Sequence, residues 1–207
     1  MASEHIYKQF DSDLEAIRAK VLEMGTLVEE QTANAVKCLL NTDIKLAEEV
    51  MRRDGQINDL EVVIDEEVSL LIAKRSPAAG DLRNIMMMLK IITDLERMGD
   101  EAAKIARSTT RIFEDNRMSK PRFTEIKGMA KAVQGMIKTA LNSFARLDLS
   151  DTIDILEKDK QVDDDYRSCM RQLLTFMLED PRTISMSLES MFIAKSLERI
   201  GDHAVNI

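Results

Sequence analysis

Seven acids and one amide fall into pairs whose spacing suits cation chemistry. Asp54 and Asn58 lie four residues apart, as do Glu96 and Asp100, Asp159 and Asp163, and Glu198 and Asp202. On a helix, residues four apart share one face. Glu96 sits in the otherwise apolar stripe Ile85, Leu89, Ile92, Glu96, Gly99, Ala103, Ala106, and Glu198 sits likewise in Met191, Ala194, Glu198, Gly201, Val205. Asp54, Asn58, Glu61 and Asp65 follow one another along the edge of a second apolar face.

An ionised carboxylate near a core is costly unless it is paired or bound to metal, and two acids one turn apart repel each other. A hard cation bound through oxygen relieves both costs, which points to Mg²⁺, Mn²⁺, Ca²⁺ or iron. The expected arrangement is one metal site in each half of the chain. Asp54, Asn58, Glu96 and Asp100 make the first, and Asp159, Asp163, Glu198 and Asp202 the second. The second is expected to be the stronger, because Asp163 stands where the first has Asn58. The same spacing equally suits helix caps or ion pairs with Arg97, Arg199, Lys90 and Arg83 at a solvated rim, since such networks imitate functional clusters. Repetition of Glu-Arg-x-Gly-Asp weighs toward metal, as do Gly99 and Gly201, because glycine inside a helix needs a reason such as close packing.

Other chemistry is poorly served. No Glu-x-x-His pair supports a di-iron oxidase, no Gly-rich loop cradles phosphate, and no Ser, Cys and His arrangement suggests a nucleophile. His203 follows Asp202, but Glu101 holds the matching place in the first half, so His203 is not expected to be an essential ligand. Met86, Met87 and Met88 cannot all face one core; burial of Met87 within the bundle is the simpler expectation, a partner contact the other. Cys38 and Cys169 lack CxxC companions and read as small buried apolar residues of a reducing compartment.

These residues need long helices to position them. Phe10, Leu14, Ile17, Val21, Met24, Val28, Ala35 and Cys38 follow alternating steps of three and four, and only Gln31, between Val28 and Ala35, breaks the stripe. Thr42 or Asp43 is the expected N-cap of a second helix over about 44–75. Ser76-Pro77 reads as an N-cap and N1 proline opening a third helix that ends near Glu114. Asp115 to Pro121 reads as the linker. The pattern then restarts with Met129, Val133, Met136, Ala140 and Phe144, turns at Leu147 to Ser150, continues to about Leu178, and begins a sixth helix at Asp180-Pro181. The halves superpose in sequence: Met24 on Met129, Asp54 on Asp159, and Leu95-Glu96-Arg97-Met98-Gly99-Asp100 on Leu197-Glu198-Arg199-Ile200-Gly201-Asp202. Such duplication predicts an all-α chain of two tandem three-helix bundles, 1–116 and 117–207. The sixth helix shows no C-cap signal before Ile207, and its counterpart continues to Glu114, so the chain is expected to stop inside that helix.

Composition agrees. Of 207 residues, 44% are hydrophobic, 4% aromatic and 32% charged, with 7 Gly and 3 Pro, a balance that disfavours strand-rich folds. A net charge of −8 argues against nucleic acid as a partner. The polar start Met1-Ala2-Ser3-Glu4-His5 lacks the apolar region of a signal peptide, and no run reaches membrane-spanning length, so a cytoplasmic location without membrane insertion is expected.

Several segments together carry a family resemblance. They are Asp54-x-x-Ile57-Asn58-x-x-Glu61-x-x-Ile64-Asp65, Ile72-Ala73-Lys74-Arg75-x-Pro77, Asp81-Leu82-Arg83, Asp94 to Asp100, Asp159-Lys160-x-Val162-Asp163 and Glu198 to His203. Over nearly its whole length the chain resembles the PhoU family, accessory regulators of bacterial high-affinity phosphate transport. The resemblance implies two pseudo-symmetric three-helix bundles and no catalytic activity. It also implies carboxylate motifs that in some members bind metal, iron or zinc among them, beside the manganese or magnesium that the oxygen donors suit. It implies repression of the phosphate-starvation response when phosphate is plentiful. The partners implied are the ATPase subunit of the phosphate ABC transporter and a phosphate-sensing histidine kinase, with a homodimer or higher oligomer expected. The competing readings are a carboxylate-bridged metal enzyme and a metal-storage bundle.

Overall fold

A computed structural model describes residues 2–114 and 124–207, with side chains from Gln9 onward except that of Glu114. The linker expected at Asp115 to Pro121 lies outside the described residues. Six α-helices account for nearly all of the rest: α1 (Ala2–Asn41), α2 (Ile44–Arg75), α3 (Ala79–Glu114), α4 (Thr124–Arg146), α5 (Thr152–Glu179) and α6 (Ile184–Asn206). The fold is all-α, and among the described residues no strand occurs and no helix is long and apolar enough to cross a membrane.

Helix ends follow local chemistry. Asp43 caps α2 by accepting the Leu46 N–H at 3.0 Å, which meets one of the donors a helix start leaves without a partner. Thr42, Ser76 and Leu147 close α1, α2 and α4 in the left-handed region, with φ of 58°, 47° and 51°. Ser76 therefore does not open α3 as its Ser-Pro sequence suggests. It is the C-cap of α2, donating its N–H to the Ile72 carbonyl at 3.0 Å, and α3 begins only at Ala79. Asp180 does start the next element: its carboxylate accepts the Arg182 N–H at 3.0 Å and opens a single 3₁₀ turn, Pro181–Thr183, that leads into α6.

The apolar stripes face one another as their spacing requires. Ile17, Val21, Met24, Val28, Ala35 and Cys38 of α1 are buried, and Gln31 is buried among them. Cys169 is buried as well, and desolvation pushes its thiol up to about 11. Helices α1, α2 and α3 pack on one another, and so do α4, α5 and α6. The halves join where each helix meets its own counterpart, α1 against α4 and α3 against α6, as a pseudo-twofold relation between repeats demands. Helices α3 and α6 run antiparallel, and both carry small buried residues: Ala102, Ala103 and Ala106 on α3, and Ala194, Gly201 and Ala204 on α6. On α1, a Cβ added to Gly25 would clash with the Leu141 side chain on α4, so this helix pair meets through a residue without a side chain. Arg18 of α1 donates to the Phe144 and Ala145 carbonyls at the end of α4 (3.1 and 2.5 Å), satisfying orphan acceptors there. Met88 is buried, whereas Met86 and Met87 are exposed, which corrects the expectation that Met87 is buried in the bundle. Three consecutive helical residues span too wide an arc for one core.

Candidate functional site: two carboxylate clusters and the joint between the repeats

In the first half, α2 presents Asp54 and Glu61 to Glu96 and Asp100 of α3. Burial raises the Asp54 carboxyl above the ordinary range, with the Asp100 charge adding to it and a hydrogen bond from Gln31 opposing. Burial likewise raises Glu96, reinforced by Asp100 and Glu61 and opposed by Arg97, whose Nε lies 3.6 Å away. Gln31, the break in the α1 stripe, explains itself here: its Nε2 donates to Asp54 Oδ1 at 3.0 Å and to the Gly99 carbonyl at 3.3 Å. A Cβ on Gly99 would stand 2.9 Å from Ile57 Cδ1 and 3.5 Å from Asp54 Oδ1. Glycine thus lets α2 and its carboxylate approach α3 closely. Asn58 is exposed, as is Asp65.

The second half gathers Asp159, Asp163, Glu198 and Asp202. Burial raises Asp159, with Asp163 and Glu198 adding to it. Asp202 is raised by burial and then by Asp159 and Asp163, while Lys195 and His203 pull the other way. Met136 stands where the first half has Gln31, so Asp159 receives no amide; the Met136 methyl instead lies 3.6 Å from a Cβ built on Gly201. Lys195 of α6 reaches both Glu198 oxygens at 2.6 and 2.5 Å and lies 5.4 Å from the centre of the Tyr166 ring. Burial works against its ammonium, but Glu198 overcomes this and holds Lys195 above its usual value. Asp163 also meets Arg167 at 3.6 Å.

The sequence-derived residues are therefore assembled as electrostatic neighbours, with Glu61 more closely involved than Asn58. Among the described residues, no three His, Cys, Asp or Glu side chains converge into a set that could hold a metal ion. Of the cations suggested for a solvated rim, Arg97 pairs with Glu96, while Arg199 is drawn to Glu101 at 2.9 Å. Lys195 was not picked out from sequence, although its place three residues before Glu198 is a helical pairing distance.

Between the clusters lies the joint of the repeats. Glu101 on α3 is 3% exposed. It accepts from the Ser196 hydroxyl at 2.8 Å and from Lys104 and Arg199, both at 2.9 Å. His203 Nδ1 lies 2.8 Å from Asp94 Oδ1, which also accepts from Asn206 at 3.0 Å. Asp94 and Ser196 are counterparts in the duplication, as are Glu101 and His203. The two contacts are thus images of each other across the pseudo-twofold axis. His203 belongs to this joint.

Comparison with known proteins places the whole arrangement. The PhoU domain matches residues 21–109 and again 126–207. The chain belongs to the PhoU family. A phosphate-specific transport system accessory protein PhoU homolog of Pseudomonas aeruginosa is 44% identical over 206 residues, covering 99% of this chain and 84% of that protein. The Escherichia coli protein, named phosphate-specific transport system accessory protein PhoU, is 40% identical over 205 residues, with the same coverage of 99% and 84%. The crystal structure of PhoU from Pseudomonas aeruginosa superposes with a TM-score of 0.91, covering 95% of this chain and 94% of that one at 44% identity. A phosphate transport system regulatory protein PhoU from Streptococcus pneumoniae superposes with a TM-score of 0.86 at 28% identity, covering 95% and 92%. These PhoU relatives are accessory and regulatory proteins, and this PhoU chain is accordingly not an enzyme.

Proposed function

We propose that this PhoU chain is a cytoplasmic adaptor that represses the phosphate-starvation response and restrains phosphate uptake. It links the ATPase subunit of the phosphate ABC transporter to a phosphate-sensing histidine kinase. The observation that carries this reading is family membership over both repeats, with relatives named as accessory proteins of phosphate-specific transport. Two similar bundles joined helix to counterpart also suit a protein that must present two faces at once. Deletion of the gene tests the reading in cells. Phosphate-starvation genes are expected to rise in high phosphate and to fall again when the chain is restored; unchanged expression would remove the regulatory role.

A second reading concerns the clusters. Their donors are carboxylate oxygens, which suit a hard divalent cation, and Gly99 and Gly201 leave the approach to Asp54 and Asp159 free of a Cβ. Asp54, Glu61, Glu96 and Asp100 in one half, and Asp159, Asp163, Glu198 and Asp202 in the other, would hold such ions by turning inward. Mn²⁺ or Mg²⁺ would then stabilise charges that otherwise repel. Calorimetric titration of chelator-treated protein tests this, with binding lost in Asp54→Asn/Asp159→Asn; a flat titration removes it.

A further inference from the structure

We propose that the groove between α1 and α2 of one molecule receives the exposed end of α5 from a second copy of the chain, so that molecules associate flank to flank through two unlike surfaces. Such self-association is independent of the adaptor reading and of any cation at the carboxylate clusters.

The groove has a volume of about 310 Å³. Its apolar lining comes from Ala16 and Ile17 of α1 and from Leu70 and Leu71 of α2, and Leu70 keeps 54% of its surface exposed. Ion pairs bridge the two helices on either side of that lining, Lys20 with Glu67 and Arg75 with Asp13, the latter at 3.3 Å. Positive charge is left over at the Arg75 end. Lys74 lines the groove there and is exposed, and it pairs with no carboxylate among the described residues. The Arg75 Nε–H is buried and meets no acceptor among the described residues. A buried donor without an acceptor carries a desolvation cost that an incoming carboxylate would relieve.

The second repeat supplies the complement. In the register that pairs Asp54 with Asp159, Lys20, Lys74 and Arg75 correspond to Glu125, Glu179 and Asp180, so each basic residue of the groove is an acid there. Arg182 takes up Asp180, whereas Glu179 is exposed. Beside Glu179 stands Leu178, 85% exposed, with Leu174 one turn earlier and Arg171 before it on the same side of α5. Along α2 the order is Glu67, Leu70, Leu71, Lys74, Arg75; along α5 it is Arg171, Leu174, Leu178, Glu179. Each run covers about 12 Å of helix, with apolar residues in the middle and charges of opposite sign at its ends. Laid parallel to α2, the α5 end sets Leu174 and Leu178 on the apolar lining, Glu179 against Lys74 and Arg75, and Arg171 against Glu67. Amphipathic helices are commonly received in grooves in this way. Within one molecule the two surfaces cannot meet. Helix α2 packs only on α1 and α3, and α5 only on α4, α6 and the turn before α6, which puts them on opposite flanks. The contact therefore joins two molecules, and because its two sides differ it is heterologous.

Sedimentation velocity of the purified full chain over a concentration series tests this. Species larger than the monomer are expected, and added NaCl is expected to reduce them. Leu70→Lys blocks the groove and Glu179→Lys spoils the α5 end. Each is expected to weaken self-association about a hundredfold, because each sets cation against cation across the contact. Both positions are exposed, and circular dichroism verifies that the helices are kept. On mixing, the intact α5 end of the Leu70→Lys chain meets the intact groove of the Glu179→Lys chain. A 1:1 pair that grows no further is expected. A wild-type chain that stays monomeric across the series overturns the inference. Self-association that survives either variant overturns it too, since the contact then lies elsewhere. Variants that are each monomeric yet fail to pair on mixing show that one surface does not receive the other, which also overturns it.

Discussion

Glu101 is held by a hydroxyl and two cations at the joint of the repeats, and no solvent replaces them easily. Glu101→Ala leaves Ser196, itself 4% exposed, without its acceptor. The stranded hydroxyl and the lost ion contacts predict a cost of about 2 kcal/mol, reduced from a fully buried pair because Lys104 and Arg199 can turn to water. Urea unfolding of the variant measures it; a change within error would show that the joint does not rely on Glu101. The clustered acids act in the opposite sense. Asp54, Glu96, Asp159 and Asp202 are all held above the ordinary carboxyl range, chiefly by burial. The folded chain therefore binds more protons than the unfolded chain over the interval just above the ordinary values, 3.8 for Asp and 4.5 for Glu. Stability falls as pH rises through that interval and stays lower at neutral pH. Asp13, Asp148 and Asp180 are held low, chiefly by side-chain hydrogen bonds, and their contribution is lost only below the ordinary value. Metal-free protein is thus expected to be most stable between the two intervals, on the acid side of neutral. Asp54→Asn, which keeps an oxygen for Gln31, is expected to raise Tm at neutral pH and flatten the profile. A profile that rises steadily to neutral would contradict this.

Helices and their ends carry a different set of expectations. Leu147 occupies the left-handed region with 63% of its surface exposed. Leu147→Gly removes that strain without losing packing, and a gain of about 0.5–1 kcal/mol is expected in thermal melts. The two helix-interior glycines diverge. Gly201→Ala meets only ordinary contacts, 3.6 Å from the Met136 methyl, and should gain up to about 1 kcal/mol of helix propensity. Gly99→Ala places its methyl 2.9 Å from Ile57, whose side chain is fully packed, and should lower Tm. Equal effects would show that Gly99 is not required for close approach. The six helices were legible in the sequence because apolar residues recur at helical spacing and the pattern repeats after the linker. Ser76 was misread because Ser-Pro has the composition of a helix start, whereas its left-handed φ depends on how α2 ends. Lys195 escaped notice because its significance appears only beside Tyr166, on a neighbouring helix. The partnership of Glu101 with Ser196 needs the docking of two bundles, which no local pattern reports.

At the scale of the molecule, the repeats are joined α1 to α4 and α3 to α6, each helix to its own counterpart. The contacts Asp94–His203 and Glu101–Ser196 repeat each other across that joint, yet they differ in chemistry, an imidazole against a hydroxyl with two cations. The clusters diverge as well, with Gln31 and Glu61 in one half against Met136, Tyr166 and Lys195 in the other. Duplication produced the architecture, and these departures give each half its own surface and charge. Two unlike faces on one frame suit the proposed engagement of a transporter subunit and a kinase. The most direct measurement is capture of the phosphate transporter's ATPase subunit and its sensor kinase on this chain, from cells grown in high and in low phosphate. The adaptor reading predicts that both are retained and that the amounts change with phosphate supply. Failure to retain either partner, from a helical and monodisperse sample, would contradict it.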